Sequence, residues 1–78
     1  MKDLIDMFLS IKNKQDMENF LLGILTPKEL EEIPKRLQIV KMLKKGTVQH
    51  EIAEKLGVGI ATVTRGSKEI KLGRFKVV

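Results

Sequence analysis

The chain has 78 residues, of which 42% are hydrophobic and 32% charged, with no cysteine. That length allows one small domain with a marginal core, and the missing cysteines exclude disulfides, zinc–thiolate sites and thiol nucleophiles; tight helix packing or oligomerisation are the ways left to gain core. The net charge of +5 divides unevenly: residues 1–34 hold four Lys against seven Asp or Glu, and residues 35–78 hold eleven Lys or Arg against three Glu, so a front at −3 precedes a back at +8. A strongly basic half points to a polyanion, the competing reading being a solvated lysine surface kept for solubility.

The composition is that of an ordered, helical chain. No apolar run approaches the roughly 20 residues of a membrane span, and no signal-peptide pattern is present, so a soluble, cytoplasmic protein without membrane contact is expected. The first helix is read in "DLIDMFLSI", where Leu4, Ile5, Phe8, Leu9 and Ile11 recur at helical spacing. "NKQDMENFLLGIL" repeats the pattern with Met17, Phe20, Leu21, Ile24 and Leu25, after a polar break at "KNKQ". "TPKE" is a start signal, with Thr26 as N-cap, Pro27 at the first helical position and Glu29 closing a capping box. This third helix should run to about Lys45 and stop at Gly46, with a kink or break near Pro34. Lys35, Arg36, Lys41, Lys44 and Lys45 crowd its second half, and Leu37, Ile39, Val40 and Leu43 are its expected buried side. Thr47 is the expected cap of a fourth helix over roughly 48–56, ended by Gly57. A fifth should start near Ile60 and reach about Lys71. "LGRFKVV" has no helical pattern and reads as an unpacked tail. The chain is therefore expected to be all-α, one helical domain over 1–78, with core and dimerisation helices at 1–46, a helix-turn-helix at 47–71 and a tail at 72–78.

From Gln49 to Ile70 the spacing is that of a helix-turn-helix. Ile52 and Leu56 lie one turn apart on the first helix, and Ile60, Val63 and Ile70 share a face of the second, with Val58 filling the turn. Ala53 sits where the helices must approach most closely. Gly57 supplies the positive φ of a tight turn. Ala61, Thr62, Thr64, Arg65 and Lys68 are then left outward or sideways. Small side chains near the helix start let its backbone approach base edges; Thr offers a hydroxyl and a methyl, while Arg and Lys reach guanine or phosphate. An ordinary helical hairpin with a polar outside is the competing reading.

Residues 60–67, "IATVTRGS", are similar to the recognition helix of the tryptophan repressor family, and 21–46, "LLGILTPKELEEIPKRLQIVKMLKKG", resembles the segment that precedes it there. The joint occurrence of "LTP", an Arg about ten residues on, "IV..L..G" and "IATVTRGS" carries the resemblance, roughly from Leu21 to Ile70. It implies an interlocked all-helical homodimer that reads successive major grooves of double-stranded operator DNA, with L-tryptophan wedged between core and reading helices as co-repressor. It also implies a ligand site in which Arg36 and Arg65 flank the indole and Arg65 pairs the carboxylate. Thr26, with backbone near Gly23 and Leu25, forms the opposite wall, and Thr62 and Gly66 the floor. The DNA-facing positions it implies are Gln49, His50, Ile60, Ala61, Thr62 and Thr64, with Lys35 near a phosphate.

Some residues depart from the family pattern. A serine that helps hold the ligand's ammonium group aligns with Glu69, which is expected either to bind that ammonium or to pair with Arg65 one turn earlier. A guanine-reading arginine aligns with His50, and the link after Gly46 is about one residue shorter. The chain stops near where a last dimer-forming helix would begin. The leading expectation is a repressor with tryptophan or a related amino acid as co-repressor. The alternatives are a ligand-independent helix-turn-helix DNA binder and a helical protein-interaction module. With one His, no Cys and acids on solvated faces, no catalytic or metal constellation can be assembled, and an enzyme is not expected.

Overall fold

A computed structural model describes residues 1–78. Its regular elements are five α-helices and no strands: α1 (Lys2–Ser10), α2 (Lys14–Ile24), α3 (Pro27–Lys44), α4 (Gln49–Leu56) and α5 (Ile60–Lys71). The chain forms two compact units, Met1–Glu31 and Glu32–Val78, and the division falls within α3.

In the first unit, Asn13 marks the break between α1 and α2. Its Oδ1 accepts from the Asp16 backbone N–H at 2.8 Å, satisfying a donor that the start of α2 leaves without a helical partner. Phe8 and Phe20 meet edge to face, with ring centroids 5.4 Å apart and planes at 83°. No residue of α1 or α2 is fully buried. The capping box forms as its sequence requires: Glu29 N–H donates to Thr26 Oγ1 at 3.2 Å, and Thr26 N–H donates to Glu29 Oε1 at 2.9 Å.

In the second unit the core is Ile39, Val40, Ile52 and Val63, all at most 1% exposed. Met42, Leu43, Ala53, Leu56 and Val58 pack around Ile39, Ile52 and Val63. These are the apolar positions of α3 and of the helix-turn-helix, so three helices share one small core. Each of them ends on a left-handed glycine: Gly46 (φ 89°), Gly57 (φ 64°) and Gly73 (φ 79°). At Gly46 the Thr47 N–H reaches back to Met42 O at 3.1 Å and the Gly46 N–H to Leu43 O at 3.0 Å, the paired bonds of a Schellman motif.

Several expectations are corrected. Of the kink or break expected at Pro34, the break does not occur: α3 runs through it, although Pro34 cannot donate back to Leu30 O. The N-cap of α4 is Val48, not Thr47, because the Thr47 N–H belongs to the Schellman closure of α3 and the chain turns extended one residue later. Leu37 is 44% exposed; with Ile33, which is also exposed, it forms an i, i+4 strip along the edge of the core stripe of α3. Ile60 is also 44% exposed. As the first helical residue its side chain leans past the helix start, where no further turn covers it. The tail is not unpacked: Lys44 Nζ donates to the carbonyls of Phe75 and Val78, and Phe75 is half-buried.

Candidate nucleic-acid interface

The interface is built from α4, the Gly57–Gly59 turn and α5, which pack directly on each other. Val58 N–H donates to Ala53 O at 3.1 Å, and the Gly57 N–H shares that acceptor, so the turn is drawn back onto α4. On α5, Val63 faces inward, while Ile60, Ala61, Thr62, Arg65 and Lys68 are exposed, as is His50 on α4. Gln49 and Thr64 are half-buried and joined: Thr64 Oγ1 donates to Gln49 Oε1 at 2.9 Å, its single proton shared with Ile60 O at 3.0 Å. Gln49 keeps both amide N–H donors unpaired, a donor pair of the kind that reads adenine or phosphate. Lys35 is half-buried on α3 and has a partner within the chain.

Behind this face lies a cavity of about 530 Å³, lined by Arg36, Ile39 and Val40 from α3, Ala61, Thr62, Arg65 and Gly66 from α5, and Phe75 from the tail. Four residues expected at a ligand site, Arg36, Thr62, Arg65 and Gly66, therefore line one cavity. At Gly66 α5 lies close against α3, since a Cβ there would lie 3.1 Å from Ile39 Cγ2 and 3.5 Å from Leu43 Cδ1. Arg36 Nη2 lies 3.7 Å from Glu32 Oε2 one turn earlier, with both side chains about half exposed, a surface pair that leaves the guanidinium available to a stronger partner. Arg65 makes no ion pair within the chain.

Glu69 does not pair with Arg65, one of the two roles expected of it. Its Oε2 pairs with Arg74 Nη1 at 3.2 Å, so its charge is used across the end of α5 and Arg65 is not neutralised. Gly23, Leu25 and Thr26 belong to the first unit. Leu25 caps α2 through its N–H to Leu21 O at 3.0 Å, and the Thr26 hydroxyl serves the capping box. Phe75 is the lining residue that sequence reasoning missed. It is the only aromatic residue in the basic half, which was the available signal.

Two arginines in a cavity also lined by Ile39, Val40 and Phe75 suit a planar aromatic group carrying a carboxylate, since a guanidinium both stacks on a π-face and pairs a carboxylate in two-pronged fashion. The volume lies within the ~300–1,000 Å³ of small-molecule sites. No group of His, Asp or Glu is placed to hold a metal ion. No helix is long and apolar enough to cross a membrane.

The family described as Trp repressor protein matches residues 1–76. A Trp operon repressor homolog of Vibrio campbellii is 39% identical over 71 residues, covering 90% of this chain and 71% of the relative. One from Vibrio vulnificus is 47% identical over 64 residues, covering 81% and 62%. A third, from Vibrio cholerae, is 38% identical over 71 residues, covering 90% and 69%. No solved structure matches the chain.

Proposed function

The chain belongs to the Trp repressor family, and from that premise we propose that it is a cytoplasmic, homodimeric repressor that binds operator DNA when L-tryptophan or a related amino acid occupies the cavity. A DNA-binding transcriptional repressor is the activity the family carries. The reading goes further in assigning residues. Arg65, Lys68, His50, Gln49, Ile60, Ala61, Thr62 and Thr64 face the major groove, Lys35 approaches a phosphate, and residues 47–71 do the reading while 1–46 build the dimer.

The observation that carries the co-repressor is the cavity that Arg36 and Arg65 share, because its walls are α3 on one side and the reading helix α5 on the other. A ligand seated there touches both. Its binding energy then favours the α5 orientation that holds it, and DNA binding and ligand binding strengthen each other by the same factor. Glu69, held by Arg74, leaves Arg65 to take the carboxylate. The family resemblance assigns Gly23, Leu25 and Thr26 to the same ligand.

The test is fluorescence anisotropy on duplex DNA selected from a random pool, with and without millimolar L-tryptophan, across a salt series. Tighter binding with tryptophan, falling steeply with salt as counterion release requires, supports the full reading. Tight binding indifferent to tryptophan sinks the co-repressor. Weak, salt-insensitive binding removes DNA as the partner and leaves a protein-interaction module.

A further inference from the structure

Resting on the reading that the cavity takes an amino acid, we propose that Phe75 forms its aromatic wall and sets its preference for a flat aromatic side chain, which makes the turn after α5 part of the binding site. The residue is not there by default. Only a chain that reverses direction at the end of α5 brings residue 75 back to α3, and four features make it do so.

Gly73 takes a left-handed φ of 79°. The Arg74 N–H donates to Glu69 O at 3.1 Å and the Gly73 N–H to Ile70 O at 2.9 Å, the two bonds of a Schellman closure. The Arg74 side chain pairs with Glu69 at 3.2 Å, fixing the turn a second time. Finally, Lys44 at the end of α3 donates to the Phe75 carbonyl and, at 3.1 Å, to that of Val78. That contact ties the turn to the helix that also supplies Arg36.

With Phe75 in place the cavity still measures about 530 Å³, so the residue lines the space and does not fill it. Arg36 and Arg65 alone would accept any carboxylate with an apolar side chain. A phenyl ring adds a partner that offset or edge-on packing makes selective for a second ring.

The chain contains no tryptophan or tyrosine. Selective excitation of indole therefore reports the ligand alone, and binding is read from the change in its emission anisotropy as it leaves free solution. L-Tryptophan is titrated into the full chain, Phe75→Leu and Lys44→Met, with L-leucine as competitor and circular dichroism to verify that each variant keeps its helices. Phe75→Leu keeps apolar bulk and removes the ring; Lys44→Met releases the tie and leaves the ring. The expected result is tryptophan binding to the unaltered chain, weakened about five- to tenfold by Phe75→Leu, with the preference over leucine shrinking alongside. Lys44→Met should weaken binding in the same direction. Equal affinity in all three overturns the proposal and leaves the co-repressor reading standing. Tighter binding by either variant, or binding by a variant alone, also overturns it, by showing Phe75 to be a plug. No binding by any of them removes the amino-acid pocket and this proposal together.

Discussion

Residues 1–31 and residues 32–78 are both helical and both rich in Leu and Ile, yet only the second unit buries any of them. The basic unit closes Ile39, Val40, Ile52 and Val63 away from water. The acidic one leaves Leu4, Ile5, Met7, Leu9, Leu22 and Ile24 exposed and has an apolar groove of about 480 Å³ along Met17, Leu21, Leu22 and Leu30. The second unit holds its helices together with its own core. Rows of exposed apolar residues at helical spacing are what a shared core between two copies needs.

That contrast is most exposed to a double change on the first unit. Leu9→Glu with Leu22→Glu puts charges at positions 77% and 56% exposed in a single chain. In a monomer they should be nearly neutral. In a symmetric dimer each copy buries uncompensated charge at about 3–5 kcal/mol per site, enough to abolish association at micromolar concentration. Sedimentation equilibrium decides between these, and an unchanged mass would end the shared-core argument.

The second unit is tested inside one chain. Ile52→Ala removes a side chain with 0% exposure from a core of four residues. The expected loss is about 2–5 kcal/mol, a large share of the stability of so small a domain, read as a lower midpoint in urea or heat. Ile5→Ala, at 49% exposure, should shift a dilute monomer by much less and a concentrated dimer by more. If concentration makes no difference, the first unit's apolar face has no partner.

The two units were unequally legible in the sequence, and for physical reasons. Caps and turns are local, so "TPKE", Gly46 and Gly57 could be read directly, and they fixed the helix boundaries to within a residue or two. The core of the helix-turn-helix followed from spacing. What could not be read was anything set by distant neighbours. Leu37 and Ile60 have the right residue type and periodicity for burial, but nothing in the single chain covers them. Glu69 has two acceptable arginines, one turn earlier at 65 and five residues later at 74, and only the reversal at Gly73 brings the second within reach. Phe75 lies past the last periodic residue, where pattern reasoning has no purchase. Its carbonyl is held by a lysine 31 residues away.

On the reading face, Arg65 is the residue where both proposed functions meet. It is exposed, lines the cavity and has no carboxylate partner in the chain. Arg65→Ala should weaken DNA binding by about 1–3 kcal/mol and weaken tryptophan binding as well, with little effect on thermal stability because no core contact is lost. Arg65→Lys separates the roles: it keeps the charge for a phosphate but loses the planar fork and stacking surface that a carboxylate and an indole use. DNA affinity near normal with ligand affinity lost would place Arg65 mainly at the cavity.

The smallest effect is the most diagnostic of how the basic unit meets a duplex. Lys68 lies three residues after Arg65 on α5, exposed and without a bond to any other side chain. If it touches a phosphate, Lys68→Ala lowers affinity alike for operator and random DNA and reduces the slope of log K against log salt by about 0.9. A contact to a base edge would instead lower affinity for the operator alone. Lys55, already paired with Glu51 at 3.7 Å on α4, gives the control, since removing it should leave the slope unchanged if only α5 and the start of α4 enter the groove. A slope change at Lys55 equal to that at Lys68 would mean the whole basic surface binds diffusely, and the helix-turn-helix would lose its claim to read sequence.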